Sequence, residues 1–184
     1  MSTYRETLDE LTTALNRAAA ALQAAGIPFV LGGGLAAWAR GGPPIEGNVD
    51  LFVRDVDARR ALDALEESGV RTGRPRRGRF SESHDDDIIV NVTGGVVSGT
   101  RGERFLRATW LGVAGTSILV ASIEDVLVTE LLALSEQNSD FRRVLALARS
   151  LRGRIDWGFV RGASTASPFA RAYLMLVDEL GIVE

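Results

Sequence analysis

The chain has 184 residues, of which 46% are hydrophobic and 24% charged; that is enough length and apolar content for a real core and it excludes a disordered chain. A formal net charge of −3 and a pI near 5.3 exclude an overall attraction to nucleic acid or anionic lipid, so any such contact must be local. Cysteine is absent, which excludes disulfides and thiolate metal sites, and every one of the 21 basic side chains is arginine.

The opening segment, MSTYRETLDELTTALNRAAAALQAAG, reads as an amphipathic helix through Leu8, Leu11, Leu15, Ala18 and Leu22, stopped by Gly26 and Pro28. It lacks the basic head and long apolar run of a signal peptide, and no later window offers the roughly 18 apolar residues of a membrane span. The expected location is the cytoplasm, with no membrane contact. Ile27 to Leu31 is almost wholly apolar and predicts a buried central strand. Gly32, Gly33 and Gly34 then turn the chain into a short helix from Leu35 to about Arg40, ended by Gly41-Gly42-Pro43-Pro44.

Val49 to Val53 predicts a second strand, with Asn48, Asp50 and Phe52 on one face and Val49, Leu51 and Val53 on the other. A helix follows from Asp57 to Ser68, then a basic loop, then a third strand over Asp87 to Val92. Trp110 to Val113 and Ser117 to Val120 predict a hairpin over Ala114-Gly115-Thr116. Ser122 with Asp125 three residues on resembles a capping box and opens a helix to about Ser135. Further helices are expected near 140 to 151, 156 to 163 and 168 to 180, the last begun by Ser167-Pro168, with Asn138 and Asp140 at the start of the first. The expected class is α+β, a small mixed sheet flanked by helices with a helical C-terminal half. Residues 1–121 form the α/β core, and 122–184 a helical region packed on it as one compact unit.

A glycine turn opening a helix exposes backbone N–H groups to an anion, and the next strand presents polar side chains two apart. Gly32-Gly33-Gly34-Leu35-Ala36, a short helix, and Asn48-Val49-Asp50-Leu51-Phe52-Val53 together resemble the nucleotidyltransferase superfamily. The likeness is strongest to its small bacterial stand-alone and AbiEii-like members, and extends from about Ile27 to Tyr173, including the TELLAL segment with Glu130. It implies transfer of NMP from an NTP to an RNA, protein or small-molecule acceptor through two Mg²⁺ ions held by three carboxylates, an Asp-x-Asp pair and a third on a neighbouring strand. Carried onto this chain, the pair falls on Asn48 and Asp50 and the third ligand on Asn91. Two of the three are amides, which coordinate without charge, so Asp50 is the one metal carboxylate left and Mg²⁺ binding is expected to be weak or lost.

Two other departures agree. Glu130 stands where similar members often carry lysine, and Pro44-Ile45-Glu46 where Arg-x-Thr often precedes the Asp pair. The expected candidate residues are therefore Asp50, Asn48 and Asn91 for the chemistry, and Gly32, Gly33, Gly34 and Glu130 for a nucleotide or other small ligand. Three functions follow: a nucleotide-binding or regulatory protein with weak or lost transfer, pairing with a protein partner; an active Mg²⁺-dependent transferase; or a pocket repurposed for metal-free work on another small ligand.

Asp85-Asp86-Asp87 does not restore the missing charge directly, since Asp87 is expected roughly 13 Å along a strand from Asn91, and the run reads as a solvated strand mouth. Asp50 with one Asp of that run holding a single ion is the remaining metal reading. Five arginines between Arg71 and Arg79 read as a solvated loop, with nucleic acid as the weaker alternative, since no aromatics interleave them. His84 is the one histidine and no Gly-x-Ser-x-Gly elbow occurs, which argues against a hydrolase. Trp38, Trp110 and Trp157 read as core or pocket walls.

Overall fold

The computed structural model describes residues 2–43, 47–73, 89–94 and 107–183. The acidic run Asp85 to Asp87, His84, the arginines from Arg74 to Arg79, and Pro44 to Glu46 lie outside the described residues.

Helix α1 (Ser2–Ala24) buries Leu11, Leu15, Ala18, Ala19 and Leu22, the stripe set by the heptad-like apolar spacing, and ends at Gly26 with φ +66°. Strand β1 (Phe29–Leu31) is buried at all three positions, as a central strand with covered faces must be. Helix α2 (Gly33–Ala39) follows at once. Strand β2 (Val49–Val53) has the limits expected from its alternation, although both its faces are largely covered. A 3-10 turn, Asp55–Asp57, leads into α3 (Ala58–Glu67), where buried Asp57 binds Arg54 and Arg60. Arg60 also donates to the Ala25 carbonyl and so ties α3 to the end of α1.

The basic segment contains a two-residue strand, β3 (Thr72–Gly73), that alternation cannot reveal at such length. Of the third expected strand, Asp87 and Ile88 lie outside the described residues; β4 spans Val90–Gly94, two residues beyond the expected end at Val92, because its ladder runs with all five residues of β2. Strands β5 (Thr109–Val113) and β6 (Thr116–Val120) form the expected hairpin, but over a two-residue turn, Ala114 at φ 50° and Gly115 at φ 82°, with Thr116 already in the strand. Among the described residues the six strands form one mixed sheet in the order β3-β4-β2-β1-β6-β5. β2 is antiparallel to β1 and parallel to β4, and β1 is parallel to β6. Trp110, expected in a wall or core, is 66% exposed because it sits on the outermost strand.

The chain then turns helical: α4 (Ile123–Ala133), α5 (Arg142–Leu151), α6 (Trp157–Ser164) and α7 (Pro168–Glu179). Ser122 Oγ accepts from the Asp125 backbone N–H at 3.1 Å, so Ser122 is the N-cap as expected, but the Asp125 carboxylate binds Arg107 and the Ser122 hydroxyl in place of closing a capping box. Arg107 binds buried Asp125 and lies over the Phe159 ring at 4.4 Å, joining the start of α4 to α6. Asp140 accepts from the Arg142 backbone N–H at 2.9 Å and starts α5, whereas Asn138 makes a short bridge with Ser135. Ser167 caps α7 through the Ala170 N–H, with Pro168 in the first turn.

Tyr173 is fully buried; its hydroxyl donates to the Val144 carbonyl at 2.9 Å and its ring meets Phe141 edge on. This bond locks α5 against α7. Replacing Tyr173 by Phe leaves the ring in place and removes this hydrogen bond, while the Val144 carbonyl keeps its place in the α5 ladder, for an expected stability loss of about 1 kcal/mol, to be read from urea denaturation; an unchanged midpoint would show that the hydroxyl contributes nothing net. No helix among the described residues is long and apolar enough to cross a membrane.

Candidate functional site

The turn between β1 and α2 and the first half of β2 meet side by side. Gly32 N–H donates to the Asp50 carbonyl at 2.8 Å, which seats the glycine turn on β2. A Cβ on Gly32 would lie 2.1 Å from the Phe52 ring, and one on Gly33 would lie 2.0 Å from Asp50 Oδ2. Gly33 also has φ +58°, a left-handed conformation that glycine adopts without strain. These two positions require glycine because the strand's polar face presses directly against the turn. Gly34, second in α2, is half-buried.

The parallel register of β2 and β4 puts Asp50 opposite Asn91. Asn91 Nδ2 donates to Asp50 Oδ1 at 2.9 Å. One carboxylate oxygen thus faces an amide donor and the other faces the Gly33 backbone. Asn48, half-buried, stands one residue before β2, on the Asp50 face by strand alternation. Glu130, on α4, is half-buried and pairs with Arg143 of α5, Oε1 to Nη2 at 3.7 Å. The Asp50 pKa is pushed up to about 6 by burial, and further by the Glu130 charge; the Asn91 hydrogen bond and the Arg143 charge pull it back down.

The structure therefore brings together Gly32, Gly33, Asp50, Asn91 and Glu130. Sequence reasoning missed Arg143 and the Phe52 contact. The Arg142-Arg143 pair just after Asp140 was a visible charge cluster, but its approach to Glu130 spans the α4 to α5 connection and no local spacing announces it.

Mg²⁺ prefers charged oxygen ligands, completed by water, in octahedral geometry. Among the described residues, β2 and β4 offer one carboxylate, Asp50, already accepting from an amide, beside uncharged Asn48 and Asn91. Among the described residues no three His, Cys, Asp or Glu side chains come together that could hold a metal ion. These residues do not fit a two-ion Mg²⁺ centre.

Neither a protein-family model nor a curated protein matches the sequence. Solved structures do. The crystal structure of ANT(2")-Ia in complex with adenylyl-2"-tobramycin matches with a TM-score of 0.59 at 16% identity, covering 88% of this chain and 98% of that one. The solution structure of the antibiotic-resistance factor ANT(2'')-Ia matches with a TM-score of 0.60 at 16% identity, covering 92% and 96%. The fold is nucleotidyltransferase-like. At 16% identity the likeness to this aminoglycoside nucleotidyltransferase is one of fold.

Proposed function

We propose that the chain is a nucleotide-binding or regulatory protein built on a nucleotidyltransferase fold, with NMP transfer weak or lost. The observation that carries this reading is the Asn91 to Asp50 hydrogen bond. Asn91 offers Asp50 an uncharged amide at the position where the resemblance calls for a third carboxylate. In this reading the chain acts in the cytoplasm, takes a nucleotide or another small ligand in the pocket beside Gly32, Gly33 and Gly34, and serves a protein partner. The metal-free repurposed pocket is a second reading, favoured by the Glu130 charge, which raises the Asp50 pKa further.

The test is calorimetric titration of each NTP, with Mg²⁺ and with chelator, into the protein and into an Asn48→Asp, Asn91→Asp variant. The unsubstituted protein is expected to bind NTP with the same affinity in both conditions. The variant, with three carboxylates, is expected to gain at least about 10-fold from Mg²⁺, the equivalent of about 1.4 kcal/mol. A gain of that size in the unsubstituted protein would restore the active-transferase reading and move the search to acceptors.

A further inference from the structure

Between Phe141 and Ile155 the chain carries five arginines and no carboxylate, in a protein whose net charge is −3. Helix α5 sorts this run by its own period: Val144, Leu147, Ala148 and Leu151 are buried, while Arg142, Arg143, Ala146, Arg149 and Ser150 are exposed. A 3-10 turn, Arg152–Arg154, continues the exposed face with Arg152, Gly153 and Arg154. Two of the five charges are answered, Arg142 by Asp140 and Arg143, at 3.7 Å, by Glu130. Arg149 and Arg152, one helical turn apart, have no hydrogen-bond or ion-pair partner among the described residues. Arg154 donates to the Arg40 carbonyl at 2.6 Å and has no carboxylate partner among those residues. Asp156, the acid that closes the run, is engaged in capping α6 through the Phe159 N–H. The helix dipole favours one cation in the last turn, which does not account for three in the six residues from Arg149 to Arg154, where like charges weaken the helix.

We infer that this outer face of α5 and its turn binds a nucleic-acid strand through the phosphates, without reading the bases. A planar guanidinium forms paired, charge-assisted hydrogen bonds with phosphate, and such contacts hold a strand whatever its sequence. The residues between the arginines are small and exposed, Ala146, Ser150 and Gly153, and a Cβ on Gly153 would meet nothing within 4 Å, so a sugar-phosphate backbone has room to approach. No aromatic side chain is exposed on this face to stack a base. An acidic protein fits it less well, because a protein interface needs an apolar anchor at its centre, and the exposed large hydrophobics Val56, Trp110, Met175 and Leu180 belong to other elements. An anionic membrane fits less well too, since the apolar side of α5 is already buried in the core and cannot enter the headgroup layer. The inference goes beyond the nucleotide reading above, and either can fail alone.

The experiment is fluorescence anisotropy of labelled oligouridylate RNA titrated with the full chain, with a variant carrying Arg149→Gln and Arg152→Gln, and with one carrying Arg17→Gln and Arg59→Gln. The last removes the same charge from exposed positions of α1 and α3, and thermal denaturation confirms that both variants fold. Three phosphate contacts to a single strand correspond to a salt slope of about −2, so binding to the unsubstituted chain is expected to weaken about 20-fold between about 50 and 200 mM salt. The α5 variant keeps one of the three contacts; it is expected to bind at least about 10-fold more weakly at low salt and to lose only about 3-fold over the same range. The α1 and α3 variant is expected to follow the unsubstituted chain. Equal losses in the two variants would reduce the effect to net charge and overturn the assignment to α5, as would RNA binding that neither variant changes. Absence of RNA binding at about 50 mM salt overturns the inference outright. Tighter binding to phosphatidylserine vesicles or to polyglutamate than to RNA, lost in the α5 variant, overturns nucleic acid as the occupant in favour of a membrane or an acidic protein.

Discussion

Gly33→Ala is expected to destabilise the protein by about 3 kcal/mol and to break the Asp50 to Asn91 contact. Two costs combine. The residue holds φ +58°, where a Cβ costs roughly 1–2 kcal/mol. The new Cβ would also stand 2.0 Å from Asp50 Oδ2 and 2.8 Å from its Cγ, so the carboxyl group must move. Since Oδ1 accepts from Asn91 at 2.9 Å, that movement pulls the carboxylate off its one described hydrogen-bond partner in the site. Gly26→Ala is the control: φ is +66° but nothing lies within 4 Å, so only the backbone cost of about 1 kcal/mol applies. In an Asp50→Ala background the obstructing oxygen is gone, and the cost of Gly33→Ala should fall to that of Gly26→Ala. A double-mutant cycle by urea denaturation would then read a coupling of about 2 kcal/mol between Gly33 and Asp50. Additive losses would show that the turn and the carboxylate are not in contact.

That contact explains why part of the site was legible in the sequence. A run of glycines before a helix and a strand with Asn48 and Asp50 two apart are local signals, and the fold brings them together as the resemblance implied: β2 keeps its expected limits and Gly32 binds the Asp50 carbonyl. Asn91 was reached only through the resemblance, which put the third ligand on a strand neighbouring β2; the parallel register sets it opposite Asp50. Capping chemistry was readable as a local signal too, since Ser122 and Ser167 act on N–H groups three residues away.

The failures are of three physical kinds. Trp110 looked like a wall because a large aromatic is usually covered, but coverage depends on where a strand lies in the sheet, and β5 is an edge. The hairpin was expected over three residues, yet its turn has two: alanine seldom adopts a positive φ, but Ala114 does so at φ 50°, in the two-residue turn whose twist matches that of the flanking strands. The Glu130 to Arg143 approach was invisible for a third reason. It is decided by how α4 and α5 pack, a tertiary fact held in place by Tyr173 and Val144 at the far side of α5.

Asp50→Asn is expected to remove a pH dependence of stability worth up to about 3 kcal/mol between pH 4 and pH 7. The Asp50 carboxyl is raised from 3.8 to about 6, so between those values the folded chain holds a proton that the unfolded chain has released. Stability from this group is fully present below pH 3.8, declines as pH rises, and is gone once pH passes 6. At about 1.4 kcal/mol per unit of pKa, the gap corresponds to about 3 kcal/mol. An amide at position 50 carries no charge at any pH in this window, and it can still accept from Asn91. The unfolding free energies of protein and variant should therefore run parallel below pH 4 and separate above it, with Asp50→Asn the more stable of the two at pH 7.5. Other titrations cancel in the difference, among them that of exposed Asp140, which Arg142 holds down at about 2. The sign of the separation carries the meaning. A carboxylate fully compensated by a resident cation would lose stability on conversion to an amide, whereas Asp50, buried beside an amide and facing the Glu130 charge, gains from it. Curves that stayed parallel up to pH 7.5 would mean that Asp50 ionises in the fold as freely as in the unfolded chain, and the electrostatic argument against a bound metal pair would fall with that result.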